Sequence, residues 1–377
     1  MTSDLGPNAS LIGVPGSRAR LGTPALILDL DAFEANIARM ADYARSRGIA
    51  LRPHAKSHKS VAVARAQIAT GAVGVCCATL GEAEAMAAAG IPGILLTSPI
   101  ATPAKFTRLI ALAAGGTDIM AVVDDPRVVA ALDEAARAAN TTLRLVIDLD
   151  VGLDRTGCAP GDAVMLAHAI GSSPRFAFAG VQAYAGHHQH IADPGERSAA
   201  TAAASATLAD VVQALTQAGY RPGIVTGAGT GTYDMAAESG VYTELQVGSY
   251  PFMDVQYLEV GYGAGGPPFQ PSLFVATSVI SAARSDGATT DAGLKAFATD
   301  GPPPQVARGA PPGTAYRFQG DEHGRLVLPD DAPSMAPGAM VECIVPHCDP
   351  TINLYDHIHC VRGDTLEAIW TVDARGR

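Results

Sequence analysis

Between residues 49 and 249, eight short apolar runs recur along the chain, and most of the gaps between them hold an Ala-rich segment with helical patterning. The runs are IALRPH (49–54), GVCCATL (74–80), GILLTS (93–98), DIMAVVDD (118–125), LRLVIDLD (143–150), FAFAGVQAY (176–184), PGIVTG (222–227) and TELQVGS (243–249). Regular alternation of this kind implies parallel strands joined by crossover helices. Eight such units favour a closed (β/α)8 barrel over an open sheet. An earlier run, ALILDL (25–30), is left outside the count.

From Tyr262 onward the texture changes to GYGAGGPPFQPS, the proline-rich DGPPPQVARGAPPG and short alternating runs such as SLFVATSVI, AMVECIV and EAIWTVD. No long helix separates them, which predicts a second, mainly antiparallel β domain. The expected division is therefore a barrel over 25–261, with residues 1–24 joining 262–377 in the β domain. With 48% hydrophobic and 17% charged residues, 40 Gly and 26 Pro, the composition is that of a compact, loop-rich globule. The net charge of −11 argues against nucleic acid or an anionic membrane as partner. No signal-peptide-like apolar core and no unbroken apolar run of about 18 residues is visible, so the chain is read as cytoplasmic. The six cysteines show no CxxC or zinc-finger spacing and are expected to be buried, reduced thiols.

In a barrel of this kind functional side chains gather where strands end. The first run ends in LRPHAKSHKS (51–60), where an extended segment would put Arg52, His54, Lys56 and His58 on one face. Clustered cations and burial both disfavour an ammonium, so Lys56 is the candidate for a neutral amine that attacks carbonyls. Lys59 falls on the other face. A lysine of this type implies a carbonyl substrate or pyridoxal phosphate, and the latter needs a phosphate cradle. TGAGTGTYD (226–234) follows the seventh run and offers Thr226, Gly229, Thr230 and Gly231 to an anion. GSYPFMD, after the eighth, adds Ser249 and Tyr250, which packing in a core would explain equally well.

PHAKSHK, DVGLDRTG (150–157), QAY (182–184), TGAGTGT, YTELQVGSY (242–250) and HCDPTINLYD (347–356) occur in this order over nearly the whole chain. Together they resemble the fold-type III pyridoxal-phosphate enzymes, related to alanine racemase, and within them the D-threonine aldolase and D-serine dehydratase group. The resemblance implies that Lys56 carries the cofactor, with His54 beside it, that Arg155 approaches the pyridoxal 3'-oxygen, and that Tyr184 lies near the ring nitrogen.

His347 and Asp349, two apart in HCDPTINLYD, are an imidazole and a carboxylate suited to a divalent cation. The resemblance places a metal site here. The D-serine dehydratases that the chain resembles carry a cysteine where Asp349 stands, so the harder pair points to the aldolase branch and to Mn2+, ahead of Mg2+ or Zn2+. Cys348 is expected to face away. In AYAGHHQHIADPGER, His190 matches the family's QH and is the candidate base near the substrate hydroxyl, whereas His187 and His188 depart from the pattern. His357 and His359 are expected to be packing or interface residues. The expected activity is metal-dependent retro-aldol cleavage of β-hydroxy-D-amino acids, D-threonine giving glycine and acetaldehyde, by a homodimer. A dehydratase or 3-hydroxy-D-aspartate aldolase type of lyase and a non-catalytic cofactor carrier are the alternatives.

Overall fold

The computed structural model describes residues 5–262, 265–284 and 286–376. Its contacts divide the chain into two compact units, one of residues 39–56 and 63–248, the other of 1–38, 57–62 and 249–376.

The first unit contains eight parallel strands: Ala50–Leu51, Val75–Cys77, Ile94–Leu96, Ile119–Val123, Leu143–Leu149, Phe176–Ala183, Ile224–Gly227 and Glu244–Leu245. Each falls within one of the eight apolar runs. They form one sheet with Ala50–Leu51 and Val75–Cys77 at its two ends. Those ends meet through a parallel bridge between His54 and Cys76, with Val73 N donating to Leu51 O at 2.8 Å and Cys76 N to Pro53 O at 2.8 Å. Curling the sheet onto itself removes the exposed edges that an open sheet would leave. Ile119–Val123 is buried at every position, as a strand covered on both faces must be, which is why the runs read as continuously apolar.

Local sequence starts the crossover helices. Thr79 accepts from Glu82 N while the Glu82 carboxylate accepts from Thr79 N, a reciprocal cap on the helix Leu80–Ala88. Asp125 and Asp193 cap Pro126–Ala138 and Pro194–Gln217, with proline in the first turn where no N–H is needed. An apolar cluster of Cys76, Leu95, Met120, Val122 and Val146 lies among the strands. Polar residues follow at the strand ends. Gln182 Nε2 donates to Asp148 Oδ1 at 2.7 Å and to Thr97 O at 3.0 Å, and Gln246 Nε2 donates to Gln182 Oε1 at 3.1 Å.

The second unit is built on a mainly antiparallel sheet. Leu273–Arg284 pairs antiparallel with Gly287–Thr290, Met340–Ile344 and Ala25–Asp29. Ala25–Asp29 also runs parallel to His357–Arg362, so it is paired on both edges and buried at all five positions. The run left outside the count of eight thus has its partners here, and residues 25–38 and 249–261 group with the antiparallel sheet and not with the expected 25–261 segment. Pairing across the chain decides this, and periodicity along the chain carries no record of it. Arg18 ties the sheet together, its Nε and Nη2 each 2.7 Å from the Glu342 carboxylate and its Nη1 3.2 Å from Asp29. The six cysteines are free and buried. No helix among the described residues is long and apolar enough to cross a membrane.

Candidate active site

The lysine segment departs from the extended geometry expected of it. Regular strand pairing ends at Leu51 and Ala55–Ser57 forms a 3-10 turn, so alternation does not carry through to His58. Arg52 leaves the cationic cluster altogether: its guanidinium makes a two-pronged pair with Glu244, both contacts at 2.8 Å, and donates to Gly93 O. It is a buried barrel brace. His54 stays beside Lys56. The Lys56 N–H donates to His54 Nδ1 at 3.4 Å, and His54 Nε2 lies 3.1 Å from Thr97 Oγ1, whose own proton goes to Cys77 O at 3.1 Å. That chain of donors assigns the His54 proton to Nε2 and leaves Nδ1 to accept. Lys56 itself is half-buried at the strand's C-terminal side. Lys59 adopts φ +51° and its carbonyl accepts from Ala374 N at 3.0 Å, within the other unit.

Arg155 sits on a tightly tied loop. Asp150 Oδ1 accepts from the backbone N–H groups of Gly152, Leu153 and Asp154 at 3.0, 3.0 and 3.3 Å. Thr156 donates to Asp148 Oδ2 at 2.8 Å, and Gly157, at φ +109°, turns the chain so that its N–H reaches Asp124 at 3.1 Å. The guanidinium lies over the Tyr184 ring, 5.7 Å from its centroid, so two of the expected cofactor contacts are brought together. Burial pushes the Asp148 carboxyl up, against the opposing hydrogen bonds from Gln182 and Thr156. Sequence reasoning passed over Asp148, Gln182 and Gln246. A carboxylate and two amides inside otherwise apolar strand runs were the available signal.

The glycine loop is buried from Val225 to Thr232. The hydroxyls of Thr226 and Thr230 have no hydrogen-bond partner among the described residues. Two buried, unpaired hydroxyls on one Gly-rich loop fit a bound phosphate, since burying them without an acceptor costs free energy. The glycines also serve a second purpose. A Cβ on Gly231 would stand 2.3 Å from Gln189 O, and one on Gly229 2.5 Å from Gln189 Oε1. Gln189 clamps this loop to its own, its Oε1 accepting from Gly231 N at 3.0 Å while Nε2 donates to Thr232 Oγ1 at 2.9 Å and Ala185 O at 3.2 Å. Among the neighbouring histidines His190 is exposed. His188 is buried, and burial, with His187 adding to it, holds its imidazole below the usual range.

The remaining candidates belong to the second unit. Tyr250 is buried with its ring centroid 5.7 Å from that of Phe269, and Ser249 is buried beside it in sequence. His347 is the N-cap of a short helix, Cys348–Ile352, so Asp349 lies in its first turn. The turn still presents both groups to one point, with His347 Nε2 and Asp349 Oδ2 3.7 Å apart. Cys348 does not face away cleanly: its thiol donates to Asp349 Oδ2 at 3.2 Å, and burial pushes its pKa well up, which keeps that proton in place. Asp254 accepts from Cys348 N at 2.9 Å and Tyr257 N at 3.0 Å and so positions the helix start. No group of three or more His, Cys, Asp or Glu at metal-binding spacing occurs among the described residues. One nitrogen and one carboxylate suit a divalent ion that keeps other positions for water or substrate.

Residues 28–255 match the family model for the alanine racemase N-terminal domain, and residues 272–361 match a serine dehydratase domain model. The chain is 39% identical to 3-hydroxy-D-aspartate aldolase of Paracoccus denitrificans over 97% of this chain and 95% of that one. It is 38% identical to D-threonine aldolase of an Arthrobacter species over 95% and 94% respectively. The crystal structure of D-threonine aldolase from Filomicrobium marinum superposes with a TM-score of 0.91 at 42% identity, covering 95% of this chain and 97% of that chain. With the barrel, its strand-end lysine and its glycine loop in place, the chain belongs to the alanine racemase N-terminal-domain family, alongside the D-threonine and 3-hydroxy-D-aspartate aldolases.

Proposed function

We propose that this protein is a carbon–carbon lyase that uses pyridoxal phosphate and a divalent metal to cleave β-hydroxy-D-amino acids, D-threonine giving glycine and acetaldehyde. The pair of buried, unpartnered threonine hydroxyls on the glycine loop, in the same unit as Lys56, carries the cofactor reading. When bound, pyridoxal phosphate supplies an electron sink for the pair left as Cα–Cβ breaks, and a divalent ion lowers the pKa of the β-hydroxyl.

The chain's own residues do the rest. Lys56 would hold the cofactor through its amine. His54, locked by Thr97, pins the Lys56 backbone N–H and so sets the start of that side chain. Thr226 and Thr230 donate to the phosphate, with Gly229 and Gly231 keeping the loop slim enough to close around it, and Ser249 and Tyr250 are further phosphate contacts. Arg155, held by the loop that Asp150 and Asp148 tie and lying over the Tyr184 ring, would with Tyr184 hold the cofactor's ring side. His347 and Asp349 hold the ion, Mn2+ by preference for a nitrogen and a hard carboxylate. His190 takes the β-hydroxyl proton.

A second substrate, 3-hydroxy-D-aspartate, is favoured by the relative of that name at 39% identity; cleavage would give glycine and glyoxylate. The working form is a homodimer, the arrangement implied by the resemblance, and the six buried free thiols suit the cytoplasm. The test is mass-spectrometric product analysis with D-threonine and 3-hydroxy-D-aspartate, with and without a chelator. Glycine plus the matching aldehyde, lost on chelation, is expected. A 2-oxo acid plus ammonia would mean a dehydratase, and undiminished cleavage after chelation would remove the metal from the reaction.

A further inference from the structure

Asp300 lies outside every motif that points to the site, yet its Oδ2 is 2.8 Å from His347 Nδ1. A neutral imidazole has one N–H and one lone pair, and an ionised carboxylate only accepts. The proton of His347 therefore sits on Nδ1, directed at Asp300, and the Nε2 lone pair is left 3.7 Å from Asp349 Oδ2. That separation is too long for a hydrogen bond and close to the roughly 3–3.5 Å between neighbouring ligands of one ion bound at about 2.1 Å. We propose that Asp300 is a positioning residue of the metal centre, fixing the tautomer and ring orientation that present His347 Nε2 to a divalent cation. The inference rests on the reading that His347 and Asp349 hold that ion.

The fold around Asp300 delivers it to this place. Ala298 N donates to Thr351 Oγ1 at 3.0 Å, and the same hydroxyl donates to His347 O at 2.8 Å, so one threonine joins the segment before Asp300 to the backbone of the ligand it orients. On the other side, a Cβ on Gly301 would stand 2.5 Å from Gln256 Nε2, which packs the chain closely just after Asp300. Tyr355 adds a further tie, its hydroxyl donating to Ala296 O at 2.9 Å. The Asp300 side chain is about half exposed, 53%, so its replacement leaves no buried charge or cavity behind. With His347 and Asp349 as the proposed donors, loss of either one's orientation weakens the site directly.

The test uses the full-length, cofactor-loaded protein stripped with a chelator and titrated with Mn2+, free Mn2+ being read from its EPR signal. Asp300→Ala should weaken Mn2+ binding about 10- to 100-fold, the usual effect of losing such a partner. Asp300→Asn should weaken it less, because the amide oxygen still accepts from Nδ1. The metal-free unfolding midpoints and the cofactor absorbance of both variants should match the unmutated protein, which separates positioning from a structural role. Asp300→Ala with an unchanged dissociation constant, while His347→Ala loses binding, would overturn the role of Asp300 alone. If His347→Ala also binds Mn2+ unchanged, both the metal reading and this inference fall.

Discussion

Single side chains carry the sharpest expectations. Lys56 stands at a strand's C-terminal side beside an imidazole whose tautomer is set, so borohydride reduction and peptide mapping should place a pyridoxyl adduct on it and on no other lysine. An adduct on Lys59, whose backbone serves the other unit, would sink that assignment. Thr226 and Thr230 offer a more discriminating case because their buried hydroxyls lack partners among the described residues. If the missing acceptor is a phosphate, Thr226→Val and Thr230→Val should each weaken cofactor binding by about tenfold, the worth of a hydrogen bond to a charged group. The cofactor-free protein should lose no stability, or gain some, since an unpaired hydroxyl has been removed from its interior. Equal cofactor affinity in an absorbance titration would show that neither hydroxyl reaches the phosphate.

Elements meet at the glycine loop and the histidine loop, which Gln189 locks together through two hydrogen bonds, with a third to Ala185 O fixing its own side chain. Steric contact there is graded by what the new methyl would strike. Gly231→Ala drives a Cβ to 2.3 Å from a backbone oxygen, whereas Gly229→Ala meets the Gln189 side-chain amide, which can move. Urea denaturation should therefore show Gly231→Ala destabilised by about 1–3 kcal/mol and Gly229→Ala by less. Adding Gln189→Ala should rescue Gly229→Ala and leave Gly231→Ala impaired, because the carbonyl persists. The opposite order would mean that the loops are not held as described.

Whole-molecule behaviour depends on contacts made far apart in the chain. In the antiparallel unit, His359 Nδ1 donates to Leu26 O at 3.0 Å and Nε2 accepts from the Asn8 amide at 3.0 Å, so the ring must be neutral to serve both. Burial holds its pKa below the ordinary value, which fits the packing role expected of it. The unfolded chain then binds the proton more readily, and stability rises with pH in the window between the folded and unfolded values. Lowering pH below about 6.5 should weaken the protein, and His359→Gln should flatten that slope in urea melts taken from pH 7 to 5. An unchanged slope would assign acid sensitivity to other groups. Light scattering of the active enzyme should report a dimer, and an active monomer would contradict the proposed assembly.

The alternation of apolar and amphipathic segments by itself determined the eight parallel strands, because a buried parallel strand and its crossover helix each impose a local pattern that needs no distant partner. Lys56 and the threonines of the glycine loop stood out as residue types at strand ends, whereas the His347–Asp349 pair was singled out through the family resemblance. Tertiary structure alone decided the rest. Which sheet receives Ala25–Asp29 is settled by strands far along the chain, those beginning at Leu273 and His357. Arg52 looked like part of a cationic cluster until Glu244, on the eighth strand, neutralised it. Asp300 carries no pattern of its own and acquires meaning only where the chain returns to His347. Local periodicity records what each segment buries, while hydrogen bonds and ion pairs between distant segments depend on a fold that no single segment encodes.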